Sequence, residues 1–122
     1  MYQKLITLAR KHINTQNKNL HVSILTHKNK IIAVGQNDYN KTSSTFGNLY
    51  KETHFRIHSE ADAIRKARYY KHLSKCVLWN FRFSRVDDSL LLSMPCSSCM
   101  KLIQLFDIKK VMFTTPYGVS EL

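Results

Sequence analysis

Between residues 76 and 115 the sequence changes its hydrophobic period twice, from strand to helix and back. CVLWNFRF at 76–83 alternates apolar and polar side chains, the period of two that a strand presents, with Trp79 expected in the core. A helix is expected from near Cys96 through SCMKLIQLF to about Asp107. KKVMFTT at 109–115 is a strand again, with Val111, Met112 and Phe113 expected to be fully buried. Strand, helix and strand in that order predict a parallel pair with a right-handed crossover, because a twisted strand feeding a helix packs back onto its sheet in that sense. The class is therefore α/β. SRVDDS reads as a turn, and LLLS extends the sheet toward Pro95.

The rest of the chain supplies the partners of that unit. Residues 2–13 place Leu5, Leu8, Ala9 and Ile13 on one helical face, with Lys4, Thr7, Arg10 and Lys11 on the other. HVSILTHK and IIAVGQN, separated by the polar tip KNK, read as an antiparallel hairpin although no Asn-Gly turn joins them. From Asp38 to Phe55 the clustered Thr, Ser, Gly and Asn predict a long loop carrying Tyr39, Phe46, Tyr50 and Phe55. A second helix follows from His58 through SEADAIRKARYYKHL, with Ala61, Ile64 and Ala67 on its apolar face. No repeat or linker interrupts the sequence, and 122 residues suit one domain, 1–122.

The chain carries 19 Lys and Arg against 8 Asp and Glu, a formal charge of +11 that favours phosphate-bearing partners. No apolar run approaches the roughly 18 residues of a membrane span, and no secretory signal is visible. Three cysteines, Cys76, Cys96 and Cys99, are too few for a disulfide framework. They point to a reducing compartment, the cytoplasm by default, and to a metal or catalytic role.

Cys96 and Cys99 stand at C-x-x-C spacing directly after Pro95, where three chemistries compete. A helix N-terminus would activate a redox dithiol, but such a pair belongs between an early strand and helix, whereas this one lies late in the chain. A closed structural zinc site needs four ligands, which Cys76, or His54 and His58 at i, i+4, could supply. An open zinc site needs three, His58, Cys96 and Cys99, with water as the fourth. The open site alone gives Glu60 a purpose: Zn²⁺ brings the pKa of a bound water to about 7, and a carboxylate that is near but not ligating can relay its proton.

IHSEADAI and MPCSSC contain H-x-E and then P-C-x-x-C, the signature of zinc nucleobase deaminases. In these motifs and in the order of its elements, the chain resembles the cytidine and deoxycytidylate deaminase superfamily. That superfamily includes tRNA adenosine deaminases and AID/APOBEC-type polynucleotide cytosine deaminases. The resemblance implies a three-layer α/β/α fold around a mixed sheet of four to five strands. It implies Zn²⁺ on His58, Cys96 and Cys99, with Glu60 protonating the ring nitrogen and then the departing amine as water replaces it. Asn37 of GQN would hydrogen-bond the sugar, and backbone groups of Ser59 and Met94 would grip the polar edge of the base. Ser59 stands where the family commonly has Ala, and Met94 where Ser, Glu or Thr often precedes the proline. The family usually continues into a fifth strand; here the expectation is a minimal version of the fold, a truncated one, or one with VSEL as a stub.

The same resemblance orders the substrates. A polynucleotide needs an open groove, basic flanks and stacking platforms, and the charge favours that arrangement. Tyr117 in TTPYG follows the last strand, where polynucleotide deaminases keep a loop that contacts the flanking base. Cytosine in single-stranded DNA or RNA is the leading expectation. Free dCMP or cytidine is the next, and a catalytically silent zinc protein that binds nucleic acid is the third.

Overall fold

The computed structural model describes residues 2–13, 20–42, 56–84, 86–87 and 89–122, with 38–42 and 56–57 described through their backbone. Its helices are α1 (Tyr2–Lys11), α2 (Ser59–Ala67) and α3 (Ser97–Leu105). Its strands are β1 (His21–His27), β2 (Lys30–Gln36), β3 (Asp38–Thr42), β4 (Arg56–Ile57), β5 (Val77–Arg82), β6 (Lys110–Thr115) and β7 (Gly118–Glu121). Five strands form one mixed sheet in the order β2-β1-β5-β6-β7, and β3 pairs with β4 separately. The expected parallel pair is β5 with β6, Val77 opposite Lys110, and α3 is its crossover.

Side chains alternate across each strand, so the sheet has two apolar faces. On one, Val22, Ile24, Phe81 and Phe83 pack with Leu5 and Ala9 of α1, while Leu8 and Ile13 cover the edge of the cluster. On the other, Leu25, Leu78 and Val111 pack with Ala61, Ile64 and Ala67 of α2 and Leu102 and Ile103 of α3. This is the three-layer α/β/α arrangement. The small residues of α2 let it lie close on β2: a Cβ added to Gly35 would stand 2.2 Å from the Ser59 carbonyl oxygen and 2.4 Å from the Ala63 nitrogen.

The β1–β2 hairpin closes with Lys28 and Asn29 at φ of 50° and 65°. Positive φ at both central residues is what a tight primed turn requires, and Asn meets it without glycine.

Several boundaries differ from the sequence reading. Asp38–Thr42 is a strand rather than loop, because its backbone pairs with Arg56–Ile57. The remainder of the expected loop, with Phe46, Tyr50 and Phe55, lies outside the described residues, as does His54. Helix α2 stops at Ala67, and a 3-10 turn at Leu73–Lys75 then returns Leu73 and Cys76 to the core. LLLS contributes one isolated bridge, Leu90 to Phe83, not a strand. VSEL is more than a stub: Thr115 and Gly118 close a hairpin, and β7 pairs antiparallel with β6 from there to Met112 opposite Glu121. Val111 and Phe113 are buried, but Met112, on the opposite side of the strand, is half-buried. Trp79 is also half-buried; it packs on the α1 side and donates its Nε1–H to Thr26 Oγ1 at 2.9 Å.

Candidate active site

Two helix N-termini converge on the same face of the sheet. His58 is the extended residue preceding α2, at φ −80° and ψ 160°, and Cys96 holds the same position before α3, where its sulfur accepts the Cys99 N–H at 3.5 Å. His58 Nδ1 lies 3.6 Å from Cys96 Sγ and 3.7 Å from Cys99 Sγ. Tetrahedral zinc with bonds of roughly 2.0–2.3 Å separates its nitrogen and sulfur ligands by about 3.6 Å. The three donors therefore fit Zn²⁺, and theirs is the one group of three or more metal-binding side chains among the described residues. Hydrogen bonding with the Cys99 thiol, opposed by burial and reinforced by His58, holds the Cys96 thiol down to about 3, the thiolate form that metal ligation needs. Cys76 stands apart, buried, its sulfur contacting the His72 carbonyl at 3.6 Å, and burial pushes its thiol up.

Glu60 follows His58 by two residues and is buried, and that burial raises its carboxyl above the ordinary range. Its Oε1 is 2.9 Å from Ser59 Oγ, which is 2.8 Å from Ser23 Oγ. Ser23 Oγ in turn donates to Asn80 Oδ1. Asn80 Nδ2 donates to the Ser93 carbonyl, and Ser93 Oγ donates back to the Asn80 carbonyl at 2.7 Å. The Ser59 hydroxyl donates to Glu60 Oε1, so the two serines and Asn80 link the carboxyl to the floor of the sheet.

Above these groups lies a cavity of about 300 Å³. His58, Glu60 and Cys96 line it, with Asn37 and Met94 at the same opening. Asn37, just past β2, accepts the Ser59 N–H on Oδ1 at 2.6 Å and so ties the start of α2 to the sheet. That bond occupies the backbone N–H of Ser59, whose side chain is buried behind the cavity with Cys99. Tyr117 sits in the β6–β7 turn, 99% exposed, and is not among the residues lining the cavity.

Residues 1–115 match the family model for the cytidine and deoxycytidylate deaminase zinc-binding region. The chain belongs to this deaminase family. Zinc is the family's cofactor, and His58, Cys96 and Cys99 form a group that could hold it. No curated protein sequence matches the chain. Among solved structures it is similar to a dCMP deaminase from the cyanophage S-TIM5, at TM-score 0.58 and 24% identity over 93% of this chain and 79% of that one. Guanine deaminase from Bacillus subtilis gives TM-score 0.58 and 23% identity over 90% of this chain, which spans 59% of that enzyme. Cytidine deaminase from Mycobacterium leprae gives TM-score 0.51 and 14% identity over 98% and 87% of the two chains. At these identities the likeness is one of fold.

Sequence reasoning overlooked five residues of this deaminase site. Ser23, Asn80 and Ser93 form its buried polar floor, and His21 and Arg82 complete the cavity wall. Asn80 left a visible trace, an amide between Trp79 and Phe81, where a buried polar group has to find partners. Ser93 and Ser23 left none, because a short hydroxyl is equally at home facing solvent.

Proposed function

We propose that this protein is a zinc-dependent hydrolytic deaminase that converts cytosine to uracil, with single-stranded nucleic acid as the leading substrate. The observation that carries the reading is Glu60: a buried carboxyl on the cavity wall, beside the His58, Cys96 and Cys99 group yet outside it. A silent zinc scaffold has no use for it there. Zinc, when bound, supplies a water whose pKa is lowered to about 7. Glu60 accepts a proton from that water and delivers it to the ring nitrogen as oxygen adds to the carbon bearing the amine. It then takes the second proton from the added hydroxyl and passes it to the amine, and the carbon–nitrogen bond breaks with release of ammonia as the carbonyl forms.

The half-exposed Leu92 and Met94 give the cavity an apolar wall for the flat face of a base, and Asn37 brings an amide to the same opening. The charge of +11 supports a polyanionic substrate. A second reading, free dCMP or cytidine, is favoured by the size of the cavity, about 300 Å³, at the lower end of small-ligand pockets. Ammonia release and sequencing after incubation with dCMP, cytidine, single-stranded DNA, single-stranded RNA and duplex test both. Uracil should appear in the single strands; turnover of dCMP with untouched oligonucleotides would replace the first reading by the second.

A further inference from the structure

The inner face of β1 and β5 changes character along its length. Leu25 and Leu78, opposite each other in register, are buried in the core beneath the helices. The next inward pair, Ser23 and Asn80, carries the buried hydrogen-bond chain. The pair after that is His21 and Arg82, and both line the cavity. Because side chains alternate, Arg82 projects to the same face as Asn80 and Leu78, the face on which His58 and Cys96 sit.

Arg82 is exposed, and no carboxylate among the described residues forms an ion pair with it. Glu60 is the one carboxylate that lines the cavity among the described residues, and it is buried against Ser59. Arg82 lines the same cavity as His58 and Cys96 of the metal-binding group. A guanidinium is permanently charged, and its planar fork of N–H donors matches a pair of phosphate oxygens. A neutral base or nucleoside offers such a cation acceptor atoms but no opposite charge, whereas a phosphate offers both. A base with its sugar takes up much of a cavity of about 300 Å³, so a phosphate on that sugar extends toward solvent, and Arg82 is an exposed cation among the residues that line the cavity.

We propose that Arg82 is the phosphate-binding residue of this site, so that the substrate is a nucleotide or a nucleic-acid strand rather than a free base or a nucleoside. The proposal rests on the deaminase reading of the cavity but is tested by binding, apart from turnover. Zinc-loaded Glu60→Gln protein is titrated calorimetrically with cytidine, dCMP and a single-stranded trinucleotide bearing a central cytosine. The phosphate-bearing ligands should bind about 10- to 100-fold tighter than cytidine, the range of a charge-assisted hydrogen-bonded contact. Adding Arg82→Ala or Arg82→Gln should bring that ratio close to one, and Arg82→Lys should restore part of it. Tighter binding of dCMP than of the trinucleotide identifies a free nucleotide as the source of the phosphate, and the reverse order identifies a strand. Equal binding of cytidine and its phosphorylated forms, no measurable binding of any of the three, or a ratio that survives Arg82→Ala overturns the assignment. Ammonia release by the parent protein is read separately: its absence with the binding ratio intact removes the deaminase reading and leaves the phosphate site standing.

Discussion

The Ser59 hydroxyl lies 2.9 Å from Glu60 Oε1, and it also touches the Ser23 hydroxyl, at 2.8 Å. Gln at residue 60 keeps a side-chain oxygen that can accept the Ser59 hydroxyl, so this contact survives the substitution. Glu60→Gln should therefore fold with an unchanged melting temperature and a full complement of zinc, while turnover falls at least about 10²- to 10⁴-fold for want of a proton carrier. Metal analysis beside an ammonia assay checks both halves. Retained turnover would remove Glu60 from the reaction.

Asn80 joins the Ser23 hydroxyl to the segment that leads into Cys96, and it is itself 2% exposed. Asn80→Ala leaves the Ser23 hydroxyl and the Ser93 carbonyl without this partner at the buried floor of the cavity. The expected cost is about 2–4 kcal/mol of unfolding free energy, measured by urea denaturation. A loss under about 0.5 kcal/mol, the scale of an ordinary surface substitution, would mean that the chain is not a structural tie.

Gly35 is where β2 touches α2, and the Ser59 and Ala63 backbone atoms leave no room for a methyl group. Gly35→Ala should push the start of α2 off the sheet and carry His58 and Glu60 with it. The expected loss exceeds the roughly 1–3 kcal/mol of ordinary overpacking, because the clash is with backbone rather than with a side chain that can turn away. Zinc affinity should fall in parallel; a stable variant with native zinc affinity would contradict the close approach.

Metal removal separates the three cysteines. Ligands drawn from two helices couple zinc binding to folding, so a chelator should lower the melting temperature by about 10 °C or more. Cys96→Ser and Cys99→Ser should reproduce that loss and abolish the response to chelator. Cys76→Ala should keep native zinc stoichiometry, because its thiol is buried in the core and outside the metal-binding group.

How far the sequence reached depended on whether a residue's role was periodic or positional. The crossover from β5 to β6 and the apolar faces of α1 and α2 were legible because helix and strand periods are local. His58, Glu60, Cys96 and Cys99 were legible because short spacings put them at helix N-termini. Asp38–Thr42 and β7 were not, since a strand of four or five residues is decided by its partner rather than by its own composition. His21 and Arg82 escaped for a similar reason. They lie 61 residues apart, and the antiparallel register of β1 with β5 sets them side by side.

His21 supplies a pH dependence of stability that can be isolated. Burial first, then the charges of Arg82 and His58, lower its imidazole to about 4 from an ordinary value of 6.5. Between those values the unfolded chain binds a proton that the native protein refuses, so acidification through this window favours unfolding. The contribution is complete above about pH 6.5 and lost as pH falls toward 4, with a slope of at most about 1.4 kcal/mol per pH unit and a total of at most about 3 kcal/mol. Zinc ligands also protonate in acid, so the comparison that isolates His21 uses metal-free protein. Metal-free His21→Gln should show a flatter profile of unfolding free energy between pH 6.5 and 4 than the metal-free parent. Parallel profiles would show that the imidazole titrates alike in the folded and unfolded chains.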